Sequence, residues 1–248
     1  MEPITLFEIY PYEKQLKINS HNFYVDQSKK RLLSQFENLD NEVEQIAQKF
    51  YEESGKFFNP DFDDPSDYAE RAYENAQEHV MLLSEMREQT LFSIIAGMYH
   101  QWDKTLREWM VKETRHWGGE NVKEQIWKVD ITKLFDLFDR MGWNIKEKPF
   151  FKSLDACRLI VNIYKHGSGN SLTDLRNKYP EYFYDFGKTD FDINNWFDHT
   201  SVHIEDSHLD SFSGAILNFW DGLPRRFLNE DCLDPPKWLE KALEQDQR

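Results

Sequence analysis

The sequence predicts an all-α protein, a bundle of long antiparallel helices preceded by an irregular N-terminal arm. Apolar residues recur every three or four positions through most of the chain, and Gly and Pro stand between these periodic segments. A hydrophobic content of 40%, with 19 Phe, 8 Trp and 11 Tyr, supplies a large core. The chain contains no internal repeat, low-complexity tract or flexible linker, so we expect a single domain over residues 1–248.

The N-terminal region is predicted to be extended. Residues 1–28 carry Pro3, Pro11 and alternating apolar positions, which favour an extended arm or a short strand. From about residue 30 to residue 54 the apolar positions change to helical spacing, and Gly55 then stops the pattern. This first helix is predicted from Leu33, Phe36, Leu39, Val43, Ile46 and Phe50.

A very long helix is predicted over residues 65–117. Asp64 is suited to cap its first turn, and Pro65 to its first position, where a missing N–H costs nothing. Gly97 is the single breaker inside the pattern, so the segment is one helix or two collinear ones. Gly118 and Gly119 end it.

Three more helices follow in the prediction, and together with the long helix they give a helical core over residues 65–225. They cover residues 122–141, 149–166 and about 207–222, and each ends at glycine. The irregular stretch 179–199 is rich in aromatic and acidic residues. Because its acids would repel phosphates, we interpret it as a loop held by its aromatic side chains, with base stacking as the alternative.

Composition excludes several classes of protein. The 30 Lys and Arg against 45 Asp and Glu give a net charge of −15, which opposes a general nucleic-acid coat protein. Two cysteines, Cys157 and Cys232, make no disulfide scaffold, so we expect a reducing cytoplasm. No apolar run approaches the ~20 residues that span a bilayer, and the start has no basic leader. A soluble, cytoplasmic protein with no membrane partner is expected.

Residues 155–166 form the most informative segment. On a helical wheel its polar residues fall within an arc of about 100°, and every other direction is apolar. This polar stripe consists of Asp155, Arg158, Asn162, Lys165 and His166. The solvent strip of an acidic protein would carry acids, whereas this stripe carries mainly Arg, Lys and His. Arg158, Asn162 and His166 are four residues apart and can contact a common ligand.

The charge around the stripe agrees with an anion site. Residues 143–179 contain seven Lys and Arg against three acids, a net charge of +4, so the rest of the chain holds −19. A basic segment in an acidic protein is typical of a local site for an anion such as phosphate.

The run from Arg158 to Gly167 resembles the Arg…His helix motif of the HEPN superfamily, largely bacterial defence and toxin–antitoxin proteins. The resemblance covers about residues 65–225. It implies a metal-independent endoribonuclease without a cofactor, which leaves 2′,3′-cyclic phosphate ends. It also implies a homodimer that joins its motif helices over one RNA phosphate, and an antitoxin or other defence-system protein as a partner.

The resemblance implies a role for each residue of the stripe. His166 would move protons and Arg158 would hold the phosphate, as imidazole and guanidinium chemistry allow. Asn162 would orient the phosphate or the imidazole, and Lys165 and Asp155 would serve substrate binding. Seven residues separate Arg158 from His166, whereas the family usually has four to six. Two alternatives therefore stay open: an inactive HEPN-like module that binds a nucleotide or a protein, and a purely structural dimerisation adaptor.

A metal site is conceivable from the sequence at His199, His203 and His208. Helical spacing would align the first two, but Thr200, Ser201 and Val202 disfavour a helix there, and no second motif accompanies them. We expect no metal.

Overall fold

The computed structural model describes residues 4–37, 39–183, 198–232 and 234–247. It is 78% helical with one two-stranded sheet in the described ranges, which confirms the all-α class. None of the helices in those ranges combines the length and apolar character needed to cross a bilayer. The elements are β1 Thr5–Glu8, α1 Pro11–Arg31, α2 Leu39–Ser54, α3 Pro65–Glu113, α4 Glu120–Lys128, α5 Ile131–Arg140, α6 Phe151–His166, α7 Asn170–Lys178, α8 Asp206–Gly222, β2 Arg226–Leu228 and α9 Lys237–Asp246.

The chain forms two compact units. The first consists of residues 1–25 and 95–248, and the second of residues 26–94. Helices α1 and α3 each contribute residues to both units. The single-domain interpretation stays a prediction.

The prediction of an extended arm or a short strand over residues 1–28 is confirmed at β1 and wrong from Pro11 onward, where the chain forms the helix α1. Pro11 is the first residue of α1, a position that proline tolerates, and so it does not break the helix. The apolar pattern of α1 is also weak, since Tyr12 and Phe23 are 72% and 69% exposed. Outward-facing aromatic residues therefore hid the helical period.

Strands β1 and β2 pair antiparallel and join the N-terminal segment to the segment after α8. Phe7 pairs with Phe227 in the register, and both side chains are buried. The Phe7 ring also packs edge-on against Trp117, with centroids 5.5 Å apart. Strand β2 was not predicted, since three residues are too few for a periodic signal.

In the second unit, the helix predicted over 30–54 is interrupted. A short 3₁₀ turn at Leu33–Phe36 precedes α2, which then ends at Ser54 as predicted. The start of α3 also agrees with the prediction, since the Asp64 carboxylate accepts a hydrogen bond from the backbone N–H of Ser66 at 2.8 Å.

The long helix is confirmed and is continuous, because α3 runs for 49 residues without a break at Gly97. A side chain at Gly97 would collide with the hydroxyl of Tyr24 on α1, which explains a glycine inside the helix. A 3₁₀ turn at Thr114–His116 closes the segment.

The single helix predicted over 122–141 is two helices, α4 and α5. Asp130 separates them, because its side chain caps α5 by accepting a hydrogen bond from the backbone N–H of Thr132. Helix α9, which was not predicted, packs on α4, and its Asp246 carboxylate accepts hydrogen bonds from the backbone N–H groups of Gly119, Asn121 and Val122. An acidic side chain thus neutralises the exposed N–H groups at the start of α4.

An aromatic cluster forms the core of the first unit. Trp102 meets Phe219 edge-on at 5.1 Å, and Phe219 lies 5.1 Å from Trp143. Such pairs each contribute about 0.5–1.5 kcal/mol beyond the burial of their area. Helix α8, predicted over 207–222, supplies Phe219 to this core. Most of the predicted aromatic loop, residues 184–197, lies outside the described residues.

Candidate functional site

Helix α6 is a core helix, as its apolar pattern predicted. It begins at Phe151 and ends at His166, and Gly167 then takes a positive φ of 69° while its N–H donates to the Ile163 carbonyl at 2.7 Å. Glycine adopts this conformation without strain and so stops the helix there. Its buried residues are Leu154, Asp155, Ala156, Cys157, Leu159, Ile160, Val161 and Ile163.

The polar stripe runs from the interior to the surface. Asp155 is 5% exposed and the Arg158 side chain 11% exposed, Asn162 is half-buried, and Lys165 and His166 are exposed. The stripe therefore has two parts with different environments. We call Asp155 and Arg158 the buried pair, and the other three residues the exposed end.

The buried pair is tightly bonded. Arg158 donates from Nε and Nη2 to Oδ1 of Asp155, at 2.9 and 2.6 Å. The other oxygen, Oδ2, accepts from the Tyr179 hydroxyl at 3.0 Å and from Lys178 Nζ at 3.3 Å. A buried carboxylate with four donors and two cations is fully compensated.

The pKa values follow from this bonding. Burial alone would raise the pKa of Asp155, but the charge and hydrogen bonds of Arg158, with smaller contributions from Lys178 and Tyr179, hold it below its usual value. Burial and the neighbouring Asp155 carboxylate raise the pKa of the Tyr179 hydroxyl far above its usual value. At neutral pH the site therefore holds an ionised Asp155 and a protonated Tyr179.

Behind the buried pair, Arg107 joins α3 to α4. It is buried, donates from Nε to Oδ1 of Asp103 at 2.9 Å in an ion pair, and donates from Nη1 to the carbonyls of Ile126 and Val129 at 2.5 and 2.9 Å. Burial would raise the pKa of Asp130, but hydrogen bonds from Thr132 and, to a smaller extent, the charges of Arg158 and Arg107 hold it below its usual value. Arg107 is therefore a structural cation rather than one available to a ligand.

The positive charge of segment 143–179 is largely compensated. Lys146 pairs with Asp136 and Asp139, and Lys152 pairs with Glu181 at 2.7 Å. Arg158 and Lys178 are already engaged by Asp155. Asp136, Asp139 and Glu181 lie outside residues 143–179. The net charge counted along this segment therefore overstates the positive charge that it presents to a ligand. Lys148 and Lys165 have no ion pair within the described part of the chain.

At the exposed end, His199 approaches the end of α6, with Nδ1 3.5 Å from the Ser168 hydroxyl. The other two histidines weighed as metal ligands have local partners. His203 Nε2 lies 3.1 Å from Glu205 Oε1, and the backbone N–H of Glu205 donates to Nδ1 of His208 at 2.9 Å. Across the ranges with described positions, no group of three or more His, Cys, Asp or Glu side chains could hold a metal ion.

The structure brings some predicted site residues together and separates others. Arg158 and His166 are eight residues apart, which is about 12 Å along a helix axis, and Arg158 turns toward Asp155, away from His166. Within one chain, then, Asp155 and Arg158 meet each other but not His166.

Sequence reasoning missed Tyr179 and the bonding role of Lys178. Lys178 is the last residue of α7 and Tyr179 follows it. Helix α7 was not predicted because its residues are mostly polar and begin directly after the glycines at 167 and 169. Helix α7 packs on α6 and returns the chain to Asp155, 24 residues away from Tyr179. No local pattern signals such a contact.

Comparison with known proteins adds no relative. No protein-family model, curated protein or solved structure matches the chain. The interpretation of the site therefore depends on its own geometry and on the motif resemblance.

Proposed function

We propose that the protein is a HEPN-like, metal-independent endoribonuclease effector of a bacterial phage-defence or toxin–antitoxin system, acting in the cytoplasm as a homodimer. The observation that carries the proposal is the exposed end of the stripe. His166 and Lys165 stand exposed at the last turn of α6, next to the half-buried Asn162. An imidazole beside an unpaired ammonium suits a phosphodiester.

The chemistry is a transesterification. The ribose 2′-oxygen attacks phosphorus, the bond from phosphorus to the 5′-oxygen breaks, and a 2′,3′-cyclic phosphate and a 5′-hydroxyl result. One His166 takes the 2′ proton, and the His166 of the second protomer gives a proton to the 5′-oxygen. Lys165 stabilises the charge on the phosphoryl oxygens, and Asn162 orients the phosphate.

In this mechanism only part of the Arg158 guanidinium can contact the phosphate. Nε and Nη2 are committed to Asp155, so its Nη1 is the nitrogen left for a phosphate. Asp155 would act as a positioning residue that holds the guanidinium, rather than as a group that touches RNA. A second protomer would supply the histidine that Arg158 does not reach within its own chain.

The test is cleavage of a labelled RNA in EDTA. We expect cyclic phosphate ends, and His166→Gln should lower the rate by about 10²–10⁴-fold, as loss of a general acid–base does. His116→Gln is the matched control, because His116 is also exposed at the end of a helical segment. Arg158→Lys keeps a cation beside Asp155 and should lower the rate while the fold is retained. Unchanged cleavage in His166→Gln would refute the proposal.

A second candidate is a non-catalytic module that binds a nucleotide, RNA or a protein. One observation favours it: the Arg158 side chain is bonded to Asp155, and Arg158 itself is eight residues from His166. This candidate predicts RNA binding that weakens in Lys165→Met but gives no cleavage product. The two candidates are thus separated by the product, and not by binding.

A further inference from the structure

A cavity of about 270 Å³ lies between α1, α3 and α8, away from the polar stripe. Its size is below the roughly 300–1,000 Å³ of sites for drug-sized ligands, so it suits a small molecule. Leu16 and Gln101 are exposed, which leaves the cavity open to solvent. Its lining is Glu13, Leu16, Lys17, Ser20, His21, Met98, Gln101, Trp102, Thr105 and Trp220.

Most polar groups of this lining are hydrogen-bond donors. Lys17 contributes an ammonium, Gln101 an amide, and Ser20 and Thr105 contribute hydroxyls. Trp102 is 2% exposed, and its Nε1–H is buried with no hydrogen-bond partner in the described part of the chain. This N–H has no exposed surface in the open cavity, so the donors that a ligand can reach there are the ammonium, the amide and the hydroxyls.

The charged groups around Lys17 leave its ammonium without an ion pair among the described residues. Two acids face Lys17, and each already has its own lysine: Glu13 lies 2.5 Å from Lys112, and Glu108 lies 3.8 Å from Lys104. The Lys17 ammonium lies 5.2 Å from the centre of the Trp220 ring. A single lysine without an ion pair matches a monoanion better than a dianionic phosphate.

The His21 imidazole is an uncharged part of the cavity lining. Its Nε2 is 2.9 Å from the Ser213 hydroxyl, and burial lowers the pKa of the imidazole to about 4. The ring is therefore uncharged at neutral pH and adds no second positive charge. Burial also lowers the pKa of Lys17, and a bound anion would oppose that effect.

We propose that this cavity binds a small organic monocarboxylate, whose carboxylate meets Lys17 and whose apolar body lies against Met98 and Leu16. Carboxylates accept several hydrogen bonds at once, which suits a lining made mostly of donors. The cavity does not include the residues of the exposed end of the polar stripe. Ligand binding in it is therefore tested independently of the nuclease proposal.

The experiment uses the full chain with benzoate, phenylacetate and acetate as probes, and benzamide as the uncharged control for benzoate. Binding is measured by saturation-transfer NMR and by thermal shift. Benzoate should bind and raise the melting temperature, whereas benzamide should bind at least tenfold more weakly. This ratio follows from one hydrogen bond to a charged group, about 1.5–3 kcal/mol.

Lys17→Met keeps the alkyl stem and should weaken benzoate binding by about tenfold or more. Lys133→Met is the matched control, since Lys133 is exposed and lies outside the cavity. The proposal is overturned if none of the three carboxylates binds, if benzamide binds equally well, or if folded Lys17→Met binds benzoate as the parent does.

Discussion

Substitution Asp155→Ala would remove the carboxylate that compensates Arg158. The Arg158 side chain is only 11% exposed, and its two bonded nitrogens face Asp155. Without the carboxylate, Arg158 becomes a buried charge without its partner, and the Tyr179 hydroxyl loses its acceptor as well. We therefore expect a large loss of stability in the first unit.

The magnitude follows from the burial of both partners. Removing one member of a buried ion pair costs about 3–5 kcal/mol, because the other charge stays desolvated. In a chain of this size that loss lowers the melting temperature by about 6–20 °C. Urea unfolding followed by tryptophan fluorescence is the assay, since all eight tryptophans lie between residues 102 and 238 and so report on the first unit.

A double substitution tests the reason. Asp155→Leu combined with Arg158→Met removes both charges and keeps similar volume, so it should cost much less than Asp155→Ala. The reasoning is refuted if Asp155→Ala costs under about 1 kcal/mol, or if the double variant is as unstable as the single.

The same pair gives a pH dependence. Because the folded pKa of Asp155 lies below the unfolded value, its stabilising effect is present above about pH 4 and is lost as pH falls through the folded pKa. The difference in unfolding free energy between the parent and Asp155→Asn should therefore be large at pH 7 and shrink below pH 4. A difference independent of pH would contradict an ionised, paired carboxylate.

Two further predictions concern the first unit. Burial lowers the pKa of His21 to about 4, below an unfolded value of about 6.5, so folding loses stability as pH falls below 6.5. The loss at pH 5 is up to about 2 kcal/mol, and a chemical-denaturation series should find it reduced in His21→Gln. Asp246→Ala removes the cap of α4 and should cost about 0.5–2 kcal/mol, whereas Glu244→Ala, exposed on the same helix, should cost little. Equal losses in the Asp246 and Glu244 variants would refute the capping role.

The sequence predicts well those helix ends that are marked by capping residues, proline or glycine. Asp64 and Pro65 predict the start of α3, and Gly167 predicts the end of α6. These signals are readable because a capping or helix-ending residue affects only the few residues next to it. Helix α1 was missed for the opposite reason. It presents Tyr12 and Phe23 to solvent, so its apolar residues do not mark a buried face.

The candidate site divides in the same way. The polar stripe of α6 was predictable, since helical period alone aligns its residues. Whether each residue is buried was not, because burial depends on neighbours that are distant in sequence. Tyr179 reaches Asp155 only through α7, and the acids that pair with Lys146 and Lys152 come from other elements. Charge counted along a chain therefore did not give the charge presented in space.

The β1–β2 pair has a consequence for the order of assembly. Its strands are separated by about 220 residues of chain, and closing so long a loop costs about 5 kcal/mol of entropy before any contact is gained. Helices form from neighbouring residues and need no such closure. Docking of the intervening helices brings the two segments close and removes most of this cost, so we expect the rings of Phe7 and Phe227 to meet late in folding, after the helices have docked.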